Sequence, residues 1–370
     1  MSNTVDIAII GAGLAGRLLA YRLSQLNYDI DLYEANQLDI KTSAQQLSAA
    51  AFTAAGMIAP ISEAIDADLD TYFLGKSSLK LWPQIIRELN LSGDKKIAYQ
   101  QNGSLIICHH QDQAELTHFT RKVHRLSQTC DAKFKTLDAT DIKALEPDLE
   151  GNFSTGLLLE EEANIDNRHL MHALLQQCLA NQVHLIDQAT VSVTNNCVTH
   201  QHKSQTYQWV FDCRGVGAKA QLPNLRGVRG EVLRVESTEI SLSRPVRLMH
   251  PRYQLYLVPK PNRQFVIGAT QIESEDTSPM SVQSMLELCS ALYSINPAFS
   301  QARILEQNTN LRPAFIDNKP QVIVRDQLVS INGLFRHGFL VAPAIIDSVV
   351  NWLQGKNCPN QARLFSFLEH

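Results

Sequence analysis

The chain has 370 residues, 44% of them hydrophobic and 19% charged, which is enough for two domains with cores of their own. Its 33 Lys and Arg face 37 Asp and Glu, a formal charge of −4 that lacks the basic footprint of nucleic-acid binding. No apolar run approaches the ~18 residues of a membrane span, and Asp6 stands where a signal peptide would be basic, so a cytoplasmic protein without a membrane partner is expected.

Val5 to Ile10 reads as a short buried parallel strand. It breaks at Gly11-Ala12-Gly13-Leu14-Ala15-Gly16, a GxGxxG pattern. Leu18, Leu19, Leu23 and Leu26 then recur at helical spacing, with Arg17 and Arg22 off that stripe. Asn27 sits where the helix should stop, since Asn tolerates the left-handed conformation that ends many helices. Ile30 and Leu32 form a second strand ending at Glu34, eighteen residues after Gly16. A GxGxxG alone is weak, but between a strand and a helix, with an acid at that distance, it is the dinucleotide fingerprint. Gly11 allows the tight turn, Gly13 lets the backbone approach a pyrophosphate, and Gly16 lets helix pack on strand. Glu34 can accept from both ribose hydroxyls, which favours FAD or NAD over NADP.

Residues 35–70 hold the Ala/Ser-rich run QQLSAAAFTAAGMIAP where a nicotinamide dehydrogenase would continue alternating strands and helices. Its small residues leave the backbone open to a flat ring; an ordinary packed Ala-rich helix is the competing reading. Helical periodicity marks 74–90, 112–127, 168–180, 281–294 and 344–354. Residues 97–109 and 228–271 are rich in alternating apolar residues, with turns at Asn102-Gly103 and Pro261-Asn262. The seven cysteines, an odd number with no CxxC pair, read as reduced, buried thiols.

Five blocks in a fixed order make the chain resemble the D-amino-acid-oxidase-like FAD oxidoreductases, and within them the glycine oxidases of the thiamine pathway. They are GAGLAG with Glu34; TAAGMIAP (53–60); RGVRGEV (226–232); LYLVP with FVIGATQIES (255–274); and LRPAFIDNKP with NGLFRHGFLVAP (311–343). The resemblance implies an α/β fold: a Rossmann-like FAD domain split in sequence, plus a substrate domain with an antiparallel β-sheet across the flavin. The FAD domain is placed at 1–85, 140–218 and 300–370, and the substrate domain at 86–139 and 219–299.

The same resemblance implies a set of contacts to a non-covalent FAD. They come from Gly11, Gly13, Leu14, Ala15 and Gly16 in the fingerprint, from Glu34 and Ala35, from Ala55, Gly56 and Met57, and from the backbone of Val191. Leu334, Phe335, Arg336, His337, Gly338, Phe339 and Leu340 complete the set, their N–H groups meeting the flavin ahead of an apolar helix that follows Ala342-Pro343. Arg312 matches the family's carboxylate-binding arginine, Tyr256 the tyrosine that joins that clamp, and Arg336 a loop arginine near substrate and flavin. A planar guanidinium fork suits a carboxylate, and Pro313 biases Arg312 towards an extended backbone. Tyr253 is the competing tyrosine. The chain departs from the family pattern at Phe315 and Asn318, where Thr and Gly are usual, and at Leu334 and His337 in the Gly-His-Phe-Arg-Asn-Gly loop. A bulky Phe315 would narrow the pocket, and His337 would alter its pH dependence. With no cysteine in 311–343, a covalent flavin is not expected.

Other constellations read as structural. His169 and His172 lie one helical turn apart near Asp166 without a third metal ligand of clear spacing. His109-His110, His200-Gln201-His202 and Glu160-Glu161-Glu162 read as solvated. No GxSxG, Cys–His pair or P-loop appears. The expected function is oxidation of glycine, sarcosine or small D-amino acids, with dioxygen reduced to peroxide. A dehydrogenase using a quinone or protein acceptor, and a flavoprotein modifying a macromolecule, are the alternatives; homo-oligomerisation is left open.

Overall fold

A computed structural model describes residues 5–38, 49–92, 96–149, 151–251 and 254–368. Strand Ile7–Ile10 is buried along its whole length and pairs in parallel with Ile30–Tyr33 on one side and Trp209–Asp212 on the other. Burial on both faces is why its sequence is a continuous apolar run rather than an alternating one. Around it a seven-stranded sheet runs in the order 365–367, 321–325, 328–332, 209–212, 7–10, 30–33, 184–186. The pair 321–325 and 328–332 is an antiparallel hairpin; the other described neighbours are parallel. Helices Leu14–Ser24, Leu69–Ser92, Asn167–Ala180 and Gly338–Leu353 bury Leu18, Leu19, Trp82, Leu170, Leu174, Ile345 and Val349 in its largest core. Asn27 ends the first helix at φ 61°, as its position predicts.

The second sheet has eight strands in the order 303–314, 226–236, 264–268, 254–260, 246–249, 104–108, 155–159, 134–138. It is antiparallel except where 246–249 runs parallel to 104–108. The hairpin between 254–260 and 264–268 turns at Asn262 and Arg263, both with positive φ. Helix Val282–Ile295 packs through Leu288, Ala291, Leu292 and Ile295 into this sheet's own core. Strands 155–159 and 303–314 belong to this sheet, so the sequence boundaries at 140 and 300 cut across it; hydrogen-bond partners, which no local pattern reveals, decide the matter. The sheet thus reaches the dinucleotide half through its longest strand, Arg303–Ala314. No described helix is long and apolar enough to cross a membrane.

Candidate active site

A cavity of about 1390 Å³ opens at the carboxyl end of strand 7–10, where the neighbouring strands lead away in opposite directions. That is the usual ligand position in a doubly wound sheet. Gly11 turns at φ +96°, and a Cβ there would lie 2.9 Å from the Cys213 carbonyl oxygen. Gly16 packs against the Gly11 carbonyl so closely that no side chain fits, whereas a Cβ on Gly13 would meet nothing within 4 Å. Gly13 caps a helix whose first turn carries no acidic side chain, which leaves its N–H groups and their partial positive charge to an anion. The Glu34 carboxylate accepts from the Ala12 N–H at 2.9 Å and lines the same cavity with Ala35 and Val191.

Arg17, off the apolar stripe of its helix, is nonetheless only 3% exposed. Its Nε donates to Ala12 O at 2.6 Å and its Nη1 to Met171 O at 2.7 Å, tying the glycine turn to the next helix layer. Burial lowers its pKa to about 10, so it stays charged at neutral pH. Periodicity alone cannot show this, because the partners are backbone carbonyls far away in sequence.

Of the Ala/Ser-rich run Ala50–Thr53 is helical and Pro60 starts the next helix; between them Gly56 turns at φ +71° and Met57–Ile58 is a short strand. A packed Ala-rich helix is therefore not what the described part forms, and Ala55, Gly56 and Met57 line the cavity. Lys260 lies buried behind them, its Nζ donating to Ala55 O at 2.5 Å and Ile165 O at 2.7 Å. Burial pushes its pKa down to about 7.

At the far end of the cavity, strand 303–314 presents Arg312 and strand 254–260 presents Tyr256. Arg312 stands opposite Val228 on the adjacent strand, while Tyr256 lies opposite Gly268, which in turn lies opposite Val232. The guanidinium crosses that offset: Nη1 donates to Arg229 O at 3.2 Å, Nη2 to Thr270 O at 3.0 Å, and the group hydrogen-bonds the Tyr256 hydroxyl. Among the described residues no carboxylate pairs with it. Burial lowers the Arg312 pKa and raises that of Tyr256, leaving one charged and the other neutral. A half-buried guanidinium neutralised by nothing but carbonyl dipoles and a phenol is a site for an anion.

Arg336 differs. Its Nε meets Glu63 Oε2 at 2.7 Å and its Nη2 meets Asp66 Oδ2 at 3.1 Å, and Asp66 also pairs with Arg247 at 3.0 Å. Glu63 and Asp66 lie one turn apart on helix Pro60–Asp66, so this short helix neutralises two arginines from different parts of the chain. Burial would raise the Glu63 pKa, but Arg336, His337 and Arg247 outweigh it and hold the carboxyl below its ordinary range. Glu63, Asp66, Arg247, Arg229 and Thr270 all line or brace this end; Arg229 and Thr270 lie in the family blocks but were given no role, and the other three lie in no motif.

Of the residues expected to contact a cofactor, all line the cavity except Gly16, which serves helix packing, and His337. His337 is 2% exposed, with Nδ1 3.0 Å from Glu63 Oε2. The apolar helix begins at Gly338, six residues before 344, and carries Ala342 and Pro343 inside it. Its first residues Gly338, Phe339 and Leu340 therefore form cavity wall as a helix N-terminus rather than as a loop. Phe315 does not narrow the cavity: it packs away from it with Ala218, Leu222 and Leu225 and against Gly333. Asn318 adopts φ 58° and accepts from Arg226 Nη2 at 3.0 Å. Tyr253 lies outside the described residues.

The acid run 160–162 is not uniformly solvated: Glu162 is fully buried, accepting from Ser62 N at 2.7 Å and Ser62 Oγ at 3.1 Å, and burial raises its pKa to about 7. His109 is half-buried, with Nε2 3.0 Å from Ser294 Oγ. The seven cysteines are free thiols, five of them buried. No cluster of potential metal ligands occurs among the described residues.

A dinucleotide turn, a long cleft between two sheets and an unpaired arginine over the far end define a flavin-dependent oxidoreductase. The chain matches the family model for the FAD dependent oxidoreductases (DAO) over residues 6–352, and it belongs to that family. It is 36% identical over 347 residues to ThiO of Rhizobium etli, provisionally named a thiamine biosynthesis oxidoreductase, covering 94% of this chain and 96% of that one. Glycine oxidase from Geobacillus kaustophilus superposes with a TM-score of 0.85 at 19% identity, over 99% of this chain and 98% of that one. Iminodiacetate oxidase from a Chelativorans species superposes with a TM-score of 0.83 at 21% identity, over 98% and 100% respectively. These two structures share the fold, and the family membership makes the chain an FAD-dependent oxidoreductase.

Proposed function

We propose that the protein oxidises a small amino acid bearing one carboxylate, glycine above all and then sarcosine or small D-amino acids, to the imine. The reading rests on one observation: among the described residues, Arg312 lines the cavity without a carboxylate partner, whereas Arg336 and Arg247 are already neutralised. One uncompensated positive charge suits one carboxylate. The names of ThiO and glycine oxidase among its relatives support the amino acid class and a role in thiamine biosynthesis.

FAD fits the cavity wall by its open edge at Gly13, its acid at Glu34 and the bare backbone of 54–57, and non-covalent binding agrees with the absence of cysteine from 311–343. When bound it would supply the redox chemistry of the two-electron oxidation of the neutral amine, with dioxygen as the final acceptor. Gly13 and the helix N-terminus behind it receive the pyrophosphate, and Glu34 receives the ribose. Arg312 and Tyr256 hold the substrate carboxylate and so fix the direction of its Cα–H bond. The Glu63–Arg336 and Asp66–Arg247 pairs keep the wall beside it neutral. Phe339 and Leu340, at the head of an apolar helix, exclude water.

The test is an anaerobic titration of the holoenzyme with glycine, followed in the flavin band near ~450 nm, and then admission of air. Bleaching by glycine with rapid return in air is expected. A flavin that glycine, sarcosine and D-alanine all leave oxidised would reject the amino acid reading in favour of a macromolecular substrate. Bleaching with slow return in air would point to a quinone or protein acceptor.

A further inference from the structure

We infer that Gly230 is a positioning residue for the carboxylate site, retained because Arg312 must lie where its side chain would be. The inference rests on the reading of Arg312 as the substrate anchor. Gly230 is in the middle of strand Arg226–Glu236, a place where glycine weakens a sheet. Its φ is not in the left-handed region, so backbone conformation does not explain it. Space does. A Cβ built there would sit 2.5 Å from Arg312 Nη1 and closer still to Cζ and Nη2.

The register shows how this arises. Val228, Gly230 and Val232 share one face of their strand, and Arg312 stands beside Val228 on that face. To reach Tyr256, which is in line with Val232, the Arg312 side chain must pass over position 230. The neighbouring residues fasten the floor. Arg229 and Glu231 point to the opposite face and form a buried ion pair at 2.6 Å. The Arg229 guanidinium also donates to the carbonyls of Asp276, Ser278 and Pro279, and the Glu231 carboxylate accepts from Thr270 Oγ1 at 3.0 Å. Both carbonyls that receive the Arg312 guanidinium, Arg229 O and Thr270 O, therefore come from this braced pair of segments. The glycine leaves a slot over a stiff floor, and the arginine fills it.

The guanidinium is the free end of a flexible side chain, so a methyl group at 230 displaces the anchor rather than the strand. Gly230→Ala is expected to fold and keep FAD. It should raise KM for glycine by at least ~10-fold with kcat changed much less, and weaken a carboxylate inhibitor such as acetate by a similar factor. In an Arg312→Ala background the same substitution should add nothing, because the slot is then empty. If Gly230→Ala fails to fold, the double variant should fold and hold FAD, since removing the guanidinium removes the overlap. A wild-type KM in Gly230→Ala would overturn the inference, as would a KM increase of equal size in the Arg312→Ala background, or a double variant that folds no better than the single one. If Arg312→Ala itself leaves KM unchanged, it is the anchor reading that falls.

Discussion

Replacing Arg312 by Ala removes a cavity cation that has no carboxylate partner among the described residues, and the structure bounds the effect. A guanidinium has five N–H donors. One on Nη1 and one on Nη2 serve Arg229 O and Thr270 O, and a further one faces the Tyr256 hydroxyl. About two remain for a substrate carboxylate, each a charge-assisted bond contributing ~1.5–3 kcal/mol. The loss is then ~3–6 kcal/mol, or ~10²–10⁴-fold in kcat/KM for glycine at 1.4 kcal/mol per tenfold. Arg312→Lys keeps the charge but not the fork, and should lose only ~10–100-fold. The assay is peroxide release at varied glycine, paired with acetate binding read from the flavin spectrum, on variants that retain FAD. If Arg312→Ala kept its KM within threefold and bound acetate normally, the anion site would have to be elsewhere.

Three other perturbations test the surroundings of the site. Lys260→Met leaves the carbonyls of Ala55 and Ile165 buried without a donor, at a cost of ~1–3 kcal/mol each. FAD affinity should fall at least ~10-fold by flavin fluorescence; unchanged affinity and melting would show that the lysine does not hold segment 54–57. Glu162 has a carboxyl raised from 4.5 to about 7, so its contribution to stability is fully present below pH 4.5 and is lost as pH rises through 7, a swing on the order of 3 kcal/mol. Glu162→Gln should therefore melt progressively higher than wild type between pH 5 and pH 8, and parallel melting curves across that range would contradict the raised value. Glu63→Gln removes the counter-ion of Arg336 Nε, so the preference for iminodiacetate over glycine should rise by ~10-fold in kcat/KM, whereas a constant ratio would mean that Arg336 does not face substrate.

The dinucleotide end was legible because its requirements are local: a strand, a tight turn, a helix start and an acid, all between residues 5 and 34. Asn27 and the Asn262 turn were legible for the same reason, since each reports the backbone conformation of its own residue. Arg312 and Tyr256 stood out only through family resemblance, because the geometry that joins them depends on pairing across four strands. Arg17 off its helix stripe and Glu162 in an acid run look exposed from sequence, and Lys260 belongs to no motif, yet each is buried on partners remote in sequence. Phe315 was misplaced for the opposite reason. Its neighbour Ala314 ends the site's strand, and the next side chain points into a separate cluster.

The cavity takes wall residues from Gly11, Glu34, Gly56, Val191 and Leu340, which are far apart in the sequence. The fingerprint helix Leu14–Ser24 packs directly on the helix that starts at Gly338, so distant parts of the wall are held by helix–helix contact. A ligand that binds only this assembled wall stabilises the whole fold by mass action, so loading with FAD is expected to raise the melting temperature.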